Sequence, residues 1–210
     1  MSKRKLITLL LSVLVGCESP SYANSSDAFI SLPDVNDSVI ADVLDSSNDT
    51  SFAKQTKILL IGDSQAGRCS TRVDRVKKSN ETVVVDYKVS TTIQYWNDKR
   101  FVTSIDRFSP DKVVIFLGTN NYLDKVLPNI ESILTTVKNK SLDCVWLGPV
   151  AVRGDKNITI NKLLKRAVSE TCVYVDSIDA NIPLEDGIHP SSSGIDIWLN
   201  LAWDNFRKRN

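Results

Sequence analysis

From Lys57 onward the chain alternates between two kinds of apolar pattern. Short runs rich in Val and Ile, with few polar residues inside, cover Lys57–Ile61, Thr82–Tyr87, Lys112–Leu117, Cys144–Leu147 and Cys172–Val175. Continuous runs of this kind mark strands buried on both faces, as in a parallel sheet, whereas a half-solvated strand would alternate. Between them the period lengthens. Ile130, Ile133, Leu134 and Val137 follow the i, i+3, i+4, i+7 spacing of one helix face. So do Ile160, Leu163, Leu164 and Ala167, and again Ile195, Trp198, Leu199 and Ala202. Strand–helix alternation predicts an α/β domain over residues 56–210, a three-layer α/β/α arrangement around about five parallel strands. By analogy with flavodoxin-like sheets the expected strand order is 2-1-3-4-5. Ligands of open α/β sheets bind beyond the carboxyl ends of the strands, so chemistry is expected in the segments just after each run.

The first 55 residues follow a different pattern. Lys3, Arg4 and Lys5 precede an apolar stretch from Leu6 to Val15, too short to span a bilayer comfortably and laid out like an export signal. It ends in Leu14-Val15-Gly16-Cys17, which resembles a bacterial lipobox and implies a lipoprotein signal peptide over 1–17, with Cys17 as the lipidated residue. Residues 18–55 are rich in Ser, Asn and Asp, as in Asn24-Ser25-Ser26-Asp27 and Asp45-Ser46-Ser47-Asn48-Asp49, and read as a flexible polar tether. The expected location is therefore an exported domain, lipid-anchored to a bacterial membrane. Formal charge is +1, and setting aside the three basic residues of the leader lowers it by three to −2. No basic stripe remains, so nucleic acid is not expected as a partner, and the domain is expected to be a monomer.

Three polar segments fall where a ligand would sit. Gly62-Asp63-Ser64 follows the first run and would present a serine on a strand-to-helix turn. Gly118-Thr119-Asn120-Asn121 follows the third, where the Asn120 amide can donate into the crevice. Asp186-Gly187-Ile188-His189-Pro190 lies after the fifth and holds His189, the chain's one histidine. A serine needs a base to become a nucleophile near neutral pH, and Asp186 can turn back to orient the imidazole. Each segment alone reads equally as an ordinary turn or helix cap. One histidine and scattered cysteines give no metal-ligand spacing, and Gly62–Gly67 lacks the Lys of a phosphate loop, so neither metal nor cofactor is expected. Cys69 reads as a packing residue.

In order and placement these blocks resemble the SGNH/GDSL hydrolase family, over about Lys57 to Pro190. Ser109-Pro110-Asp111, Trp146-Leu147-Gly148-Pro149 and Asp176-Ser177 are secondary echoes of the same pattern. The resemblance implies a serine hydrolase with a triad of Ser64, His189 and Asp186. It also implies an oxyanion hole built from the N–H of Ser64, a second-block N–H and the Asn120 amide. The second block departs from the family: Lys88-Val89-Ser90-Thr91-Thr92-Ile93 has no glycine, and Thr91 stands at the matching position, where a β-branched side chain would crowd the substrate.

The expected activity is hydrolysis of acyl esters, acetyl ahead of longer chains, on a cell-envelope glycan. The lipobox places the domain near such material, and Gln65, Arg68, Asn121, Lys125, Arg153 and Asp155 make the surrounding loops polar. An O-acyltransferase, a lysophospholipase or thioesterase acting on lipid, and a catalytically retuned envelope-binding lipoprotein fit the same blocks. Cys144 and Cys172 begin adjacent strands at matching positions, which suits either a disulfide or two buried thiols.

Overall fold

A computed structural model describes residues 54–97, 99–152 and 156–209. The leader with Cys17, nearly all of the tether, and Arg153 and Asp155 lie outside the described residues. Five strands form one parallel sheet: β1 (Thr56–Gly62), β2 (Glu81–Tyr87), β3 (Lys112–Phe116), β4 (Asp143–Leu147) and β5 (Val173–Val175). Their order is β2-β1-β3-β4-β5, the expected one. The central strands are buried almost throughout. β2, at an edge, is only half-buried, so its Val-rich run reflects cover on its inner side rather than full enclosure.

Among the described residues six α-helices complete the layers: α1 (Ser64–Cys69), α2 (Ile93–Asn97), α3 (Arg100–Phe108), α4 (Leu127–Asn139), α5 (Lys156–Val168) and α6 (Ser192–Arg207). The pleat sends alternate residues to opposite faces. Ile58 and Leu60 of β1, with Phe116 of β3, meet Trp198, Leu199, Trp203 and Phe206 of α6 on one face. Leu59, Ile61 and Trp146 meet Phe101, Ile105, Ile133 and Leu164 from the opposite helices. Each predicted helical stripe lies on its helix; of its members only Leu134, Leu163 and Ala167 remain partly exposed. The helix over Arg100–Phe108 was not among the predicted stripes, although Phe101, Ile105 and Phe108 are spaced for one face.

At the amino ends of the strands the sheet is closed by bonds. Asp111 accepts from the backbone N–H of Lys57 (2.8 Å), which gives the Ser109-Pro110-Asp111 segment a structural role. Cys144 and Cys172, one residue before the paired Val145 and Val173, are joined by a disulfide across a Cα–Cα distance of 4.7 Å. Cys69 is free and fully buried, as a packing residue would be.

Candidate active site

The first block is shaped by backbone crowding. A Cβ on Gly62 would come within 2.2 Å of the Phe116 carbonyl oxygen, so only glycine lets β1 turn out of the sheet this close to β3. Asp63, fully buried, then caps α1 by accepting from the Gln65 N–H (2.9 Å). Because Asp63 does the capping, the hydroxyl of Ser64 at the first helical position is left for other partners. Burial raises the Asp63 carboxyl to about 7, partly offset by the Gln65 N–H. Burial, and then the charge of Asp63, pushes the Cys69 thiol well above its ordinary range, which keeps it from acting as a thiolate.

The fifth block is a closed loop. Leu184 and Pro190 form an antiparallel bridge, and the Glu185 N–H donates to the His189 carbonyl (2.9 Å). Inside it Asp186 Oδ1 accepts from the N–H groups of Ile188 (2.9 Å) and His189 (2.7 Å), an Asx turn that needs the left-handed Gly187 (φ 77°). The other carboxylate oxygen lies 2.7 Å from His189 Nδ1. The hydrogen bond from the imidazole, followed by the two backbone N–H groups, holds the Asp186 carboxyl well below the usual carboxylate range. On the far side of the ring His189 Nε2 lies 3.1 Å from Ser64 Oγ. A proton on Nδ1 satisfies both contacts: the imidazole donates to Asp186 and accepts from Ser64. The chain thus brings Ser64, His189 and Asp186 into one hydrogen-bonded line, 125 residues apart at its serine end.

Asn120 and Thr91 are brought together beside Asp63. Asn120 Nδ2 donates to Asp63 Oδ2 (3.0 Å) and to the Thr91 carbonyl (3.1 Å). Both amide hydrogens are therefore engaged inward, not aimed at open space. The N–H groups of Ser64 and Thr91 take no acceptor among the described residues. Thr91 does not crowd the site as its branching suggested. Its side chain is buried, with Oγ1 donating to the Lys88 carbonyl (2.7 Å) and accepting from Trp96 Nε1 (3.0 Å). Ser90, one residue earlier, takes the left-handed turn (φ 60°) that a glycine would take more easily.

Two side chains tie the serine helix to the histidine loop. Gln65 Nε2 donates to the Ile188 carbonyl (3.1 Å), and Arg68 pairs with Glu185 (2.6 Å) and lies 3.9 Å from Asp186. Both were expected on polar loops; they lie instead in α1, with Gln65 buried, and their partners, more than a hundred residues away, left no local signal. The echoes Gly148 and Ser177 also bond each other: Ser177 Oγ donates to the Gly148 carbonyl and accepts from Trp198 Nε1 (2.6 Å). A cleft of about 380 Å³ opens beside Asn120 and Asp186, with Thr119, Val152 and Ile188 in its walls.

Compared by sequence, the chain matches no family model and no curated protein. Compared by structure, it is similar to TesA, at 15% identity and a TM-score of 0.59, over 73% of this chain and 99% of that one. A carbohydrate esterase family 3 protein from Talaromyces cellulolyticus is similar at 14% identity and a TM-score of 0.56, over 73% and 97%. A member of the lipolytic G-D-S-L family from Veillonella parvula is similar at 17% identity and a TM-score of 0.54, over 72% and 98%. The domain has the α/β/α fold of the SGNH/GDSL hydrolases.

Proposed function

We propose that this protein is a serine esterase that cleaves acyl esters, with acetyl esters of a cell-envelope glycan as its substrates. The observation that carries the reading is the line from Ser64 through His189 to Asp186, with contacts of 3.1 and 2.7 Å at the carboxyl end of the sheet. His189 Nε2 takes the hydroxyl proton as Ser64 Oγ attacks the ester carbonyl, and Asp186 steadies the imidazolium that forms. The tetrahedral intermediate collapses, the alcohol leaves with the proton from His189, and an acyl group remains on Ser64. Water, deprotonated by the same imidazole, then releases the acid. The developing oxyanion is held by the N–H groups of Ser64 and Thr91. Asn120 contributes by loosening its bond to Thr91 or Asp63; one such donor is worth about a hundred- to a thousandfold in rate.

A small acyl group suits the cleft beside Asn120, whose walls bring Val152 and Ile188 as apolar contacts among polar ones. The Talaromyces cellulolyticus neighbour supports sugar esters as the substrate class. Lipidation at Cys17, with the 38-residue segment from Glu18 to Gln55 as tether, would hold the domain near envelope polymers at high effective concentration. One observation favours a second reading, a retuned binding protein: both hydrogens of the Asn120 amide are held inward. Labelling with a fluorophosphonate probe separates the two. The esterase labels at Ser64, and the label disappears in Ser64→Ala and falls steeply in His189→Ala; an unlabelled wild type overturns the proposal.

A further inference from the structure

A second cleft, of about 400 Å³, lies at the edge of the sheet beyond the carboxyl end of β2, between that strand, α2 and α3. Among the described residues no aliphatic side chain lines it. Its walls instead bring the aromatic rings of Tyr87, Tyr95 and Trp96 together with the cations of Lys88, Arg100 and Arg107, against one carboxylate among the described residues, Asp86. Asp86 already accepts from Ser104, and Arg100 lies over the Tyr95 ring, 4.2 Å from its centroid. Lys88 and Arg107 are exposed and form no ion pair among the described residues. Tyr87 is 48% exposed and is seated by a glycine: a Cβ on Gly67 would come within 2.4 Å of its ring. α1, which presents Ser64, thus also supports the ring that walls this cleft.

We infer that this cleft is a subsite for an acidic saccharide, a sugar whose carboxylate meets Lys88 and Arg107 while its ring rests on the face of Tyr87. The chemistry excludes an acyl chain, which would need an apolar lining. A single-stranded nucleic acid would need successive stacking platforms and a basic track; here there are one exposed ring and two exposed cations without an ion pair among the described residues, Arg107 lying over the Phe108 ring at 5.0 Å. The cleft is coupled to the site through one loop. Lys88 lines it, Thr91 three residues on touches Asn120, and Trp96 Nε1, in the cleft wall, holds the Thr91 hydroxyl. A polymer chain seated here would therefore run past Ser64. The role as a subsite rests on the esterase reading; binding by the cleft does not.

The test uses the full chain carrying Ser64→Ala and titrates it by calorimetry with trigalacturonate, maltotriose, inorganic phosphate and a thymidine hexanucleotide. Trigalacturonate is expected to bind, more weakly as salt rises, with maltotriose and phosphate at least about tenfold weaker. Lys88→Ser with Arg107→Ser is expected to weaken trigalacturonate by about tenfold, the worth of two exposed charge contacts. The same pair in the Ser64 protein is expected to leave aryl acetate hydrolysis unchanged, since Lys88 meets the site through its backbone, its N–H donating to the Gly62 carbonyl and its own carbonyl accepting from Thr91, and Ser keeps both groups. Equal binding of maltotriose or phosphate, tighter binding of the oligonucleotide, or no effect of the double substitution overturns the inference. An absence of aryl acetate hydrolysis in the wild type, with trigalacturonate still bound through Lys88 and Arg107, overturns the esterase reading instead.

Discussion

The two ends of the same five strands are built differently. At the amino ends, groups that could be costly are paired. Lys112 and Arg209 flank Asp143 at 3.5 and 3.2 Å, Asp111 takes the Lys57 N–H, and Cys144 is bonded to Cys172. At the carboxyl ends, polar groups are buried with less than full satisfaction. Asp63 is fully buried, and buried Gln65 Oε1 and Asn121 Nδ2 have no hydrogen-bond partner among the described residues. Such groups cost stability, of order 1–3 kcal/mol each when unpaired. The amino ends supply cohesion while the carboxyl ends tolerate a loss in order to hold preorganised donors and acceptors, which is how a site for charge development is expected to look.

If that division holds, substitutions at the two ends move different observables. The largest effect is at the carboxyl end. Ser64→Ala or His189→Ala should lower aryl acetate hydrolysis by at least about a hundredfold. The melting temperature should change little, because Ser64 and His189 are only part-buried and share one hydrogen bond. Wild-type turnover in Ser64→Ala would sink the assignment; a collapse in melting temperature would show that this end, too, carries cohesion.

The mirror experiment removes the disulfide. Cys144 and Cys172 are 28 residues apart, and opening a loop of that size costs about 3–4 kcal/mol in the chain-entropy account. Cys144→Ala with Cys172→Ala should lower the unfolding free energy, read from denaturant titration, by about that amount and leave kcat on aryl acetate unchanged. Loss of both in parallel would mean that the two ends are mechanically coupled through β4 and β5.

Asp63 tests the carboxyl end's own cost. Its folded carboxyl is raised by burial to about 7, above the ordinary carboxylate value near 4. Between those values the folded state binds the proton that the unfolded state has lost. Its contribution to stability is therefore full below about pH 4, and it is lost as pH rises to about 7. Asp63→Asn removes this titration. The melting temperature of wild type relative to Asp63→Asn should be higher at pH 4.5 than at pH 8; a constant or reversed difference shows a carboxyl with an ordinary or lowered pKa.

What the sequence made legible sits mostly where one residue type has one reason. Apolar runs gave the strands, analogy with flavodoxin-like sheets gave their order, and Gly62, Gly118 and Gly187 fell where backbone crowding or a left-handed turn demands glycine. What stayed hidden depends on contacts between segments distant in the chain. Gln65 reaching Ile188 and Arg68 reaching Glu185 join residues 123 and 117 apart, and neither leaves a periodic trace. The inward engagement of Asn120 was hidden for the same reason: it depends on Asp63 and Thr91, brought beside it only by the sheet. The Thr91 departure was legible as a departure, but its consequence was not, since branching alone does not say which way the side chain turns.

That consequence gives the smallest expected effect of a substitution within the site. Thr91 enters the proposed oxyanion hole through its backbone N–H, which Gly would keep. Its hydroxyl points away from substrate and satisfies Trp96 Nε1, a buried donor. Thr91→Gly should therefore change kcat on aryl acetate by less than about tenfold, below the loss of a true oxyanion donor. It should cost about 1–3 kcal/mol of stability, because the indole N–H is left without its acceptor. Thr91→Ser, which keeps the hydroxyl, should restore most of that stability. The two variants together separate the roles. If Thr91→Gly were as stable as wild type but slow by a hundredfold or more, the side chain, and not the backbone N–H, would be what the site needs. The carboxyl end would then owe its chemistry to a hydrogen bond that the geometry directs into the protein.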